Sequence, residues 1–243
     1  MNLVLFETNE LEAPLAVSDR RAQHILEVLH RKVGDTFDAG VINGSRGRGT
    51  VTQITATALS FAFDPVLPPT PPAPITMIIG LPRPQTARDI LRDATTLGVE
   101  ALHFVRTEKG EPNYRQSTLW SSGEWRRHAL AGAEQAFDTH LPVVTHGTPL
   151  NAAIAQSIGT NTDATVKIAL DNYEAAGPLS AVTIRPDSRV IIAIGSERGW
   201  SAAERDLLRG NEFTVAHLGS RVLRAETAVV AALTLVRGKL GLL

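Results

Sequence analysis

Cysteine is absent from the 243 residues, which removes thiol nucleophiles, disulfide frameworks and thiolate metal sites together. Neither sign of charge is in excess: 24 Lys and Arg stand against 25 Asp and Glu, so any contact with a polyanion must rest on local clusters. No apolar run approaches the roughly 18 residues that a membrane span requires, and the opening MNLVLFETNELEAPL has early acids and no basic stretch, as expected of a cytoplasmic chain. The chain has no G-x-G-x-x-G after an apolar run, no G-x-x-x-x-G-K-[ST] and no G-x-S-x-G. Their absence counts against a dinucleotide fold, a phosphate-cradling loop and a hydrolase serine. His24 and His30 are six apart and the other five of the seven histidines lie on separate elements, with no i, i+4 pair flanking a carboxylate, and no metal site is expected.

What is present is 43% hydrophobic content, enough for one large domain or two smaller ones. The stretch DPVLPPTPPAP, residues 64 to 74, is too rich in proline for helix and reads as a semi-rigid connector. Before it, LVLF reads as a short strand, and Ser18 to His30 as a helix with Ile25, Leu26 and Leu29 on one face. DTFDAGVI, GTVTQITATA and LSFAFDP then alternate with period two, with NGSRGRG as the turn between the first two. A small β-barrel of about 65 residues follows from that pattern.

After the connector, strand and helix alternate. ITMIIGL, ALHFV, VKIAL, RVIIAIG and FTVAHLG read as strands, separated by helices from Thr86 to Leu97, after a capping box at Ser121 to Glu124, and after a second box at Ser201 to Glu204. Short apolar runs between helices predict an α/β unit with a mainly parallel sheet covered on both faces. Ligands of such sheets gather beyond the carboxyl ends of the strands. The loops there read DNYEAAGP, GSERGWS and GSRVLRAET, and two of them open on a glycine, Gly195 and Gly219. A glycine at that place either admits a ligand close to the backbone or only turns the chain.

VIIAIGSERGWSAAE, followed one helix and one strand later by LGSRVLRAETAVVAAL, resembles the RsmE family, methyltransferases that act on a uridine of 16S ribosomal RNA. The family belongs to the SPOUT superfamily of trefoil-knotted methyltransferases. HILEVLHRKVGD, TTLGV and AEQAFDTHLP extend the likeness over most of the chain. The resemblance implies a PUA-like RNA-binding β-barrel at 1–66, a Pro-rich linker at 67–74, and at 75–243 a SPOUT-type α/β domain with a deep trefoil knot that binds S-adenosylmethionine. It also implies a homodimer formed through the knotted domain and, as partner, 16S rRNA or the small ribosomal subunit, with no metal and no membrane.

Carried across residue by residue, the cofactor would be held by Leu170, by Ile194, Gly195, Ser196, Glu197 and Gly199, by Leu218, Gly219, Arg221 and Leu223, and by Ala228. The loop departs from the family's usual GPEGG, with Ser196 and Arg198 in place of a proline and a glycine. Arg224, Glu226 and Arg221 are the catalytic candidates. A uracil ring nitrogen must lose its proton before it attacks, which calls for a base such as Glu226 or for cations such as Arg221 and Arg224 beside the carbonyl oxygens. Equally open is that Arg224 and Glu226 only pair and cap the last helix, with Glu226 or Thr227 as the cap. Arg21, Arg31, Lys32, Arg46 and Arg48 are the basic residues that could meet RNA phosphates; solvated surface is their plainer reading. Two other functions remain compatible with these residues: an RNA-binding dimer of the same fold without transfer, and an α/β enzyme acting on a small metabolite.

Overall fold

The computed structural model describes residues 3–158 and 165–243. The chain forms two compact units, Met1–Pro71 with Leu130–Leu141, and Pro72–Ala129 with Pro142–Leu243. Among the described residues no helix is long and apolar enough to cross a membrane.

The first unit contains β1 (Val4–Phe6), β2 (Leu15–Ala16), α1 (Arg20–Gln23), β3 (Thr36–Val41), β4 (Arg46–Ile54) and β5 (Ala58–Leu67). They form a mixed sheet in the order β1-β3-β4-β5-β2, and among the described residues no pairing joins β1 to β2 to close a ring. Alternation places Phe37, Val51, Leu59 and Phe61 on the inner face, where the Phe6 and Phe61 rings lie 4.6 Å apart and Phe37 meets Phe61 edge-on at 5.7 Å.

Three expectations change here. The helix expected from Ser18 to His30 is regular only through Gln23, with Asp19 as its cap; a wider turn then runs through Val28, where Leu29 N–H reaches the His24 carbonyl at 2.9 Å. Arg46 and Arg48, expected on a hairpin turn, are the first and third residues of β4. Leu67, Ala73 and Pro74, expected in the linker, are strand residues, because β5 runs to Leu67 and the next strand opens at Ala73. Proline is tolerated at those ends because a strand's terminal residues need not donate to the ladder.

The segment Leu130–Leu141 belongs to the first unit, which no linear boundary in the sequence announces. Ala133 packs with Leu3 and Leu5, and the buried Glu134 carboxylate accepts two 3.1 Å hydrogen bonds from Arg20.

The second unit carries β6 (Ala73–Gly80), α2 (Pro84–Thr96), β7 (Val99–Arg106), α3 (Thr118–Ser121), the first residues of α4 (Glu124–Ala136), whose remainder from Leu130 belongs to the first unit, β8 (Val143–Pro149), α5 (Leu150–Ile158), β9 (Thr165–Leu170), β10 (Gly177–Pro178), β11 (Arg189–Ile194), α6 (Ala202–Gly210), β12 (Thr214–His217) and α7 (Ala225–Lys239). Among the described residues the sheet runs β10-β12-β9-β11-β6-β7-β8 with every pairing parallel. Both faces are dry. Ile75, Met77, Ile79, Ile192 and Ile194 face the side holding α2 and α7, while Ile78, Ile191 and Ala193 face Trp200, Leu208 and Phe213. That is why these strands read as unbroken apolar runs.

β8 and β10 escaped the sequence reading because an edge strand such as VVTHGTP buries little and shows no apolar run. The capping box expected at Ser121 does not form: Ser121 ends α3, and its hydroxyl donates to the Ser117 carbonyl. The box at Ser201 and Glu204 does form, with both reciprocal bonds, at 2.8 and 3.1 Å. Helix α7 buries Val229, Ala232, Leu233 and Val236 on one stripe and leaves Val230 and Leu235 exposed, so within this chain it is covered on one side.

Burial raises the Glu134 carboxyl above its ordinary value of 4.5, and Arg20 offsets only part of that effect. The folded state therefore holds this proton longer than the unfolded chain, and its contribution to stability falls as pH rises from 4.5 through the folded value. Glu134→Gln removes the titration. In urea unfolding followed at pH 4 and pH 7, the variant is expected to gain stability relative to the wild type at the higher pH; an unchanged difference would refute the assignment.

Candidate active site

β12, β9 and β11 are adjacent in the sheet, so the three loops that leave their carboxyl ends are forced together. They enclose a cavity of about 160 Å3. Leu170, Asp171, Asn172 and Tyr173 come from the loop after β9; Ile194 through Gly199 from the loop after β11; Leu218, Val222 and Leu223 from the loop after β12, with Ala225 and Ala228 from the first turns of α7.

Each loop is fixed by bonds of its own. Asp171 Oδ1 accepts the backbone N–H groups of Tyr173 at 2.7 Å and Glu174 at 2.9 Å, which folds the first loop back on itself. Its Oδ2 takes Arg205 Nε at 2.7 Å, a buried pair that ties this loop to α6. Burial alone would raise the Asp171 carboxyl, but Arg205 and the two amides outweigh it and hold the group below its ordinary 3.8. In the second loop Gly199 N–H closes a tight turn on the Ser196 carbonyl at 2.8 Å. Glu197 Oε1 accepts Arg83 N–H at 3.0 Å, so this residue also fastens the loop to the start of α2. Trp200, wholly buried, donates Nε1–H to the Leu170 carbonyl at 3.1 Å and joins the first two loops. In the third loop Gly219 N–H donates to His217 Nδ1 at 3.0 Å.

The two strand-end glycines do different things. Gly219 has φ +114° and open space around a would-be Cβ, so it turns the chain. Gly195 lines the cavity, and a Cβ there would meet the returning backbone of Gly199 and Trp200 at 3.0–3.1 Å. Close approach of backbone is its reason.

Of the cofactor residues expected, Leu170, Ile194, Gly195, Ser196, Glu197, Gly199, Leu218, Leu223 and Ala228 share this cavity, while Gly219 and Arg221 lie outside its lining. Arg198 and Val222 lie within the loop stretches expected to hold the cofactor, whereas Asp171, Asn172, Tyr173 and Ala225 were not among the expected residues, although DNYEAAGP was one of the loops singled out. The available signal was an aspartate directly after an apolar strand at its carboxyl end.

Arg221 and Arg224 are exposed and Glu226 is half-buried in the first turn of α7. Among the described residues none of the three forms an ion pair or a side-chain hydrogen bond. Pairing and capping therefore do not account for them: Arg224 itself occupies the cap position without a side-chain bond, and Glu226 and Thr227 fall inside the helix.

The walls suit a ligand with both apolar and polar parts. Ser196 Oγ is buried without a partner. Tyr173 and Val222, 78% and 79% exposed and the most exposed large apolar side chains among the described residues, both line the cavity. Among the described residues no group of three or more histidines or carboxylates is placed to hold a metal ion.

The basic residues of the first unit separate into two kinds. Arg31 and Lys32 are exposed, and Arg48 is half-exposed and paired with Asp38 at 3.1 Å. Arg21 is spent within the fold: it bonds Glu10 and Asp19 at 2.7–2.8 Å, lies over the Phe6 ring at 5.0 Å, and has a side chain only 15% exposed. It cannot reach a phosphate without breaking both pairs, which corrects its place among the RNA candidates. Arg46 is likewise engaged, by the Phe137 carbonyl at 2.6 Å and the Phe137 ring at 4.9 Å.

Asp171→Asn keeps the turn and loses the ion pair, so it should cost about 3 kcal/mol near neutral pH, the scale for breaking a buried pair. The native carboxylate contributes stability above 3.8 that is lost as pH falls through its lower folded value, so the cost should shrink in acid. Urea midpoints at two pH values test both statements.

Residues 69–237 match the family model of the RNA methyltransferase domain. The chain is 36% identical over 241 residues to the ribosomal RNA small subunit methyltransferase E of Treponema pallidum, covering 97% of this chain and 90% of that one. It is 25% identical over 240 residues to the corresponding protein 1 of Borreliella burgdorferi, covering 99% of each. In fold it matches the ribosomal RNA small subunit methyltransferase E of Neisseria gonorrhoeae, solved bound to S-adenosyl methionine, with a TM-score of 0.76 at 20% identity over 98% of this chain and 97% of that one. A probable rRNA-methyltransferase of Porphyromonas gingivalis gives a TM-score of 0.79 at 20% identity over 99% of both chains. With the family model spanning most of the chain and a relative above 30% identity along nearly all of it, the protein belongs to the ribosomal RNA small subunit methyltransferase E family.

Proposed function

We propose that this chain transfers the methyl group of S-adenosylmethionine to ring nitrogen 3 of a uridine in 16S ribosomal RNA. Family membership supports rRNA methylation, and the Neisseria gonorrhoeae structure of the same fold was solved with S-adenosyl methionine bound. The observation that carries the reading is the convergence of three strand-end loops on one cavity, beside which Arg221, Arg224 and Glu226 stand free of protein partners among the described residues.

The cofactor would be held by the three loops, with Ser196 Oγ as a hydrogen-bonding group and Tyr173 and Val222 as apolar faces, and when bound it supplies an electrophilic methyl group. The chain's own work is to align the nucleophile and manage one proton. Glu226 accepts the proton from N3, and Arg221 and Arg224 stabilise the charge that then spreads to the ring carbonyls. N3 lies on the pairing edge of the base, so the target must be unpaired or extruded. Of the five basic candidates, Arg31, Lys32 and Arg48 have side chains reaching solvent to meet surrounding phosphates. In the family's terms residues 1–66 make a PUA-like RNA-binding domain before the linker, and residues 75–243 a trefoil-knotted domain.

We also propose a homodimer through the α/β unit. Val230 and Leu235 of α7, with Leu242 and Leu243 beyond it, are exposed apolar side chains in a segment whose other face is core. Sedimentation equilibrium should give twice the 26.1 kDa chain mass, and Leu235→Glu should lower it toward one.

Small ribosomal subunits from a strain lacking the corresponding activity, incubated with methyl-labelled cofactor and digested to nucleosides, should yield label in 3-methyluridine. Arg224→Ala is expected to reduce the transfer rate by about 100-fold, the scale for losing one charge-stabilising donor. Its calorimetric affinity for the cofactor should be retained. A full transfer rate in that variant would remove Arg224 from the mechanism.

A further inference from the structure

A second cavity, of about 210 Å3, opens at the carboxyl ends of β6 and β7. Arg106, Thr107, Gly110, Glu111, Pro112 and Arg115 line it, with Leu81 at its base. It shares no lining residue with the donor cavity. At ~30 Å3 per water, it has room for a group the size of a phosphate.

Its chemistry is cationic. Arg106 and Arg115 are exposed, and among the described residues neither makes an ion pair or a hydrogen bond through its guanidinium. Thr107 Oγ1 is buried without a partner. A Cβ at position 110 would fall 2.7 Å from that hydroxyl, so glycine there leaves it uncrowded. Glu111 is the one carboxylate in the lining, and two guanidiniums against one carboxylate leave a single positive charge, the complement of one phosphodiester.

The wall is held in place before any ligand arrives. Glu108 N–H donates to Glu204 Oε1 at 2.8 Å, and Lys109 Nζ donates to the Trp200 carbonyl at 2.8 Å. Gly110 N–H closes on the Thr107 carbonyl at 3.1 Å. Preformed anion sites of this kind bind with little ordering cost.

The cavity is also close to the donor site. Leu81 follows Gly80, whose missing side chain lets β6 lie against the donor loop: a Cβ there would be 2.3 Å from Ser196 N. Trp200, whose carbonyl holds Lys109, is the residue whose indole holds Leu170 in the donor cavity.

We infer that Arg106, Arg115 and Thr107 form a subsite for one backbone phosphodiester of the RNA, next to the nucleotide being modified. Fork-shaped guanidiniums match the two non-bridging oxygens of such a group, and a threonine hydroxyl supplies a further donor. The inference rests on the reading of the protein as an RNA-modifying enzyme, and it places the strand on the β6–β7 side of the donor cavity.

The test compares wild type with Arg106→Gln/Arg115→Gln and with a charge-matched control, Arg185→Gln/Arg189→Gln, near the opposite, amino end of β11. Retention of 16S rRNA on filters is measured at stepped salt, alongside methyl transfer to the same RNA and calorimetric binding of S-adenosylmethionine. The expected result is RNA binding about 10-fold weaker in the first variant, with its log–log salt slope reduced by roughly 0.7–0.9, the value for one phosphate contact. Cofactor affinity is expected to be the same in all three proteins, and the control to keep the wild-type slope. Wild-type slope and affinity in Arg106→Gln/Arg115→Gln overturn the subsite, while methylation by the wild type would leave the enzyme reading standing. A reduced slope with no methylation by any of the proteins supports the subsite and overturns transfer. Conservative Arg115→Lys should restore charge and slope but not the full affinity if paired oxygens are gripped by a fork.

Discussion

One ladder of hydrogen bonds governs the site. β9 pairs along its length with β11 and over its last residues with β12, Thr214 opposite Ile168 through Ala216 opposite Leu170. Because all three strands run the same way, their carboxyl ends stop at one level, and loops distant in sequence emerge side by side. The two apolar layers above and below the sheet hold that register, since a slip of one residue would turn Ile192 and Ile194 toward the wrong layer. Everything that binds or reacts is hung on that alignment.

Polar bonds then shape what the ladder brings together. Asp171 spends both oxygens on the fold, one on a turn and one on Arg205, so the only carboxylate at the end of β9 is structural. Glu197 is partly structural too, through Arg83. Among the described residues Ser196 Oγ in the cavity and, next to it, Arg221, Arg224 and Glu226 make no side-chain hydrogen bond or ion pair. Polar groups left open together at one cavity mark it as a place for a ligand.

The α/β order, the apolar strands and the three loops were legible because each rests on local pattern: continuous hydrophobic runs, a capping box at Ser201, and polar segments between. The specific block LGSRVLRAETA placed the family. What stayed illegible depends on partners that only the folded chain brings together. Arg21 reads as a basic surface residue, yet Glu10 and Asp19 consume it. Glu134 reads as a solvated helix position, yet it is buried beneath Arg20. Segment Leu130–Leu141 lies far from the first unit in sequence and joins it in space. Edge strands β8 and β10 bury too little to leave a periodic trace. Charge alone does not show that Arg21 is held by nearby Glu10 and Asp19, nor that Arg46 is held by Phe137 far along the chain.

Trp200 is anchored at both ends, its indole by the Leu170 carbonyl and its own carbonyl by Lys109. A loop hinged on such a residue is unsuited to swing as a flap. Traffic into the hollow it borders then falls to the rim, where the Tyr173 ring and the Val222 branch stand in solvent and can rotate about single bonds. Admission by side-chain rotation is fast and costs little reorganisation, so the pace of turnover would be set by the arrival and departure of the much larger nucleic acid.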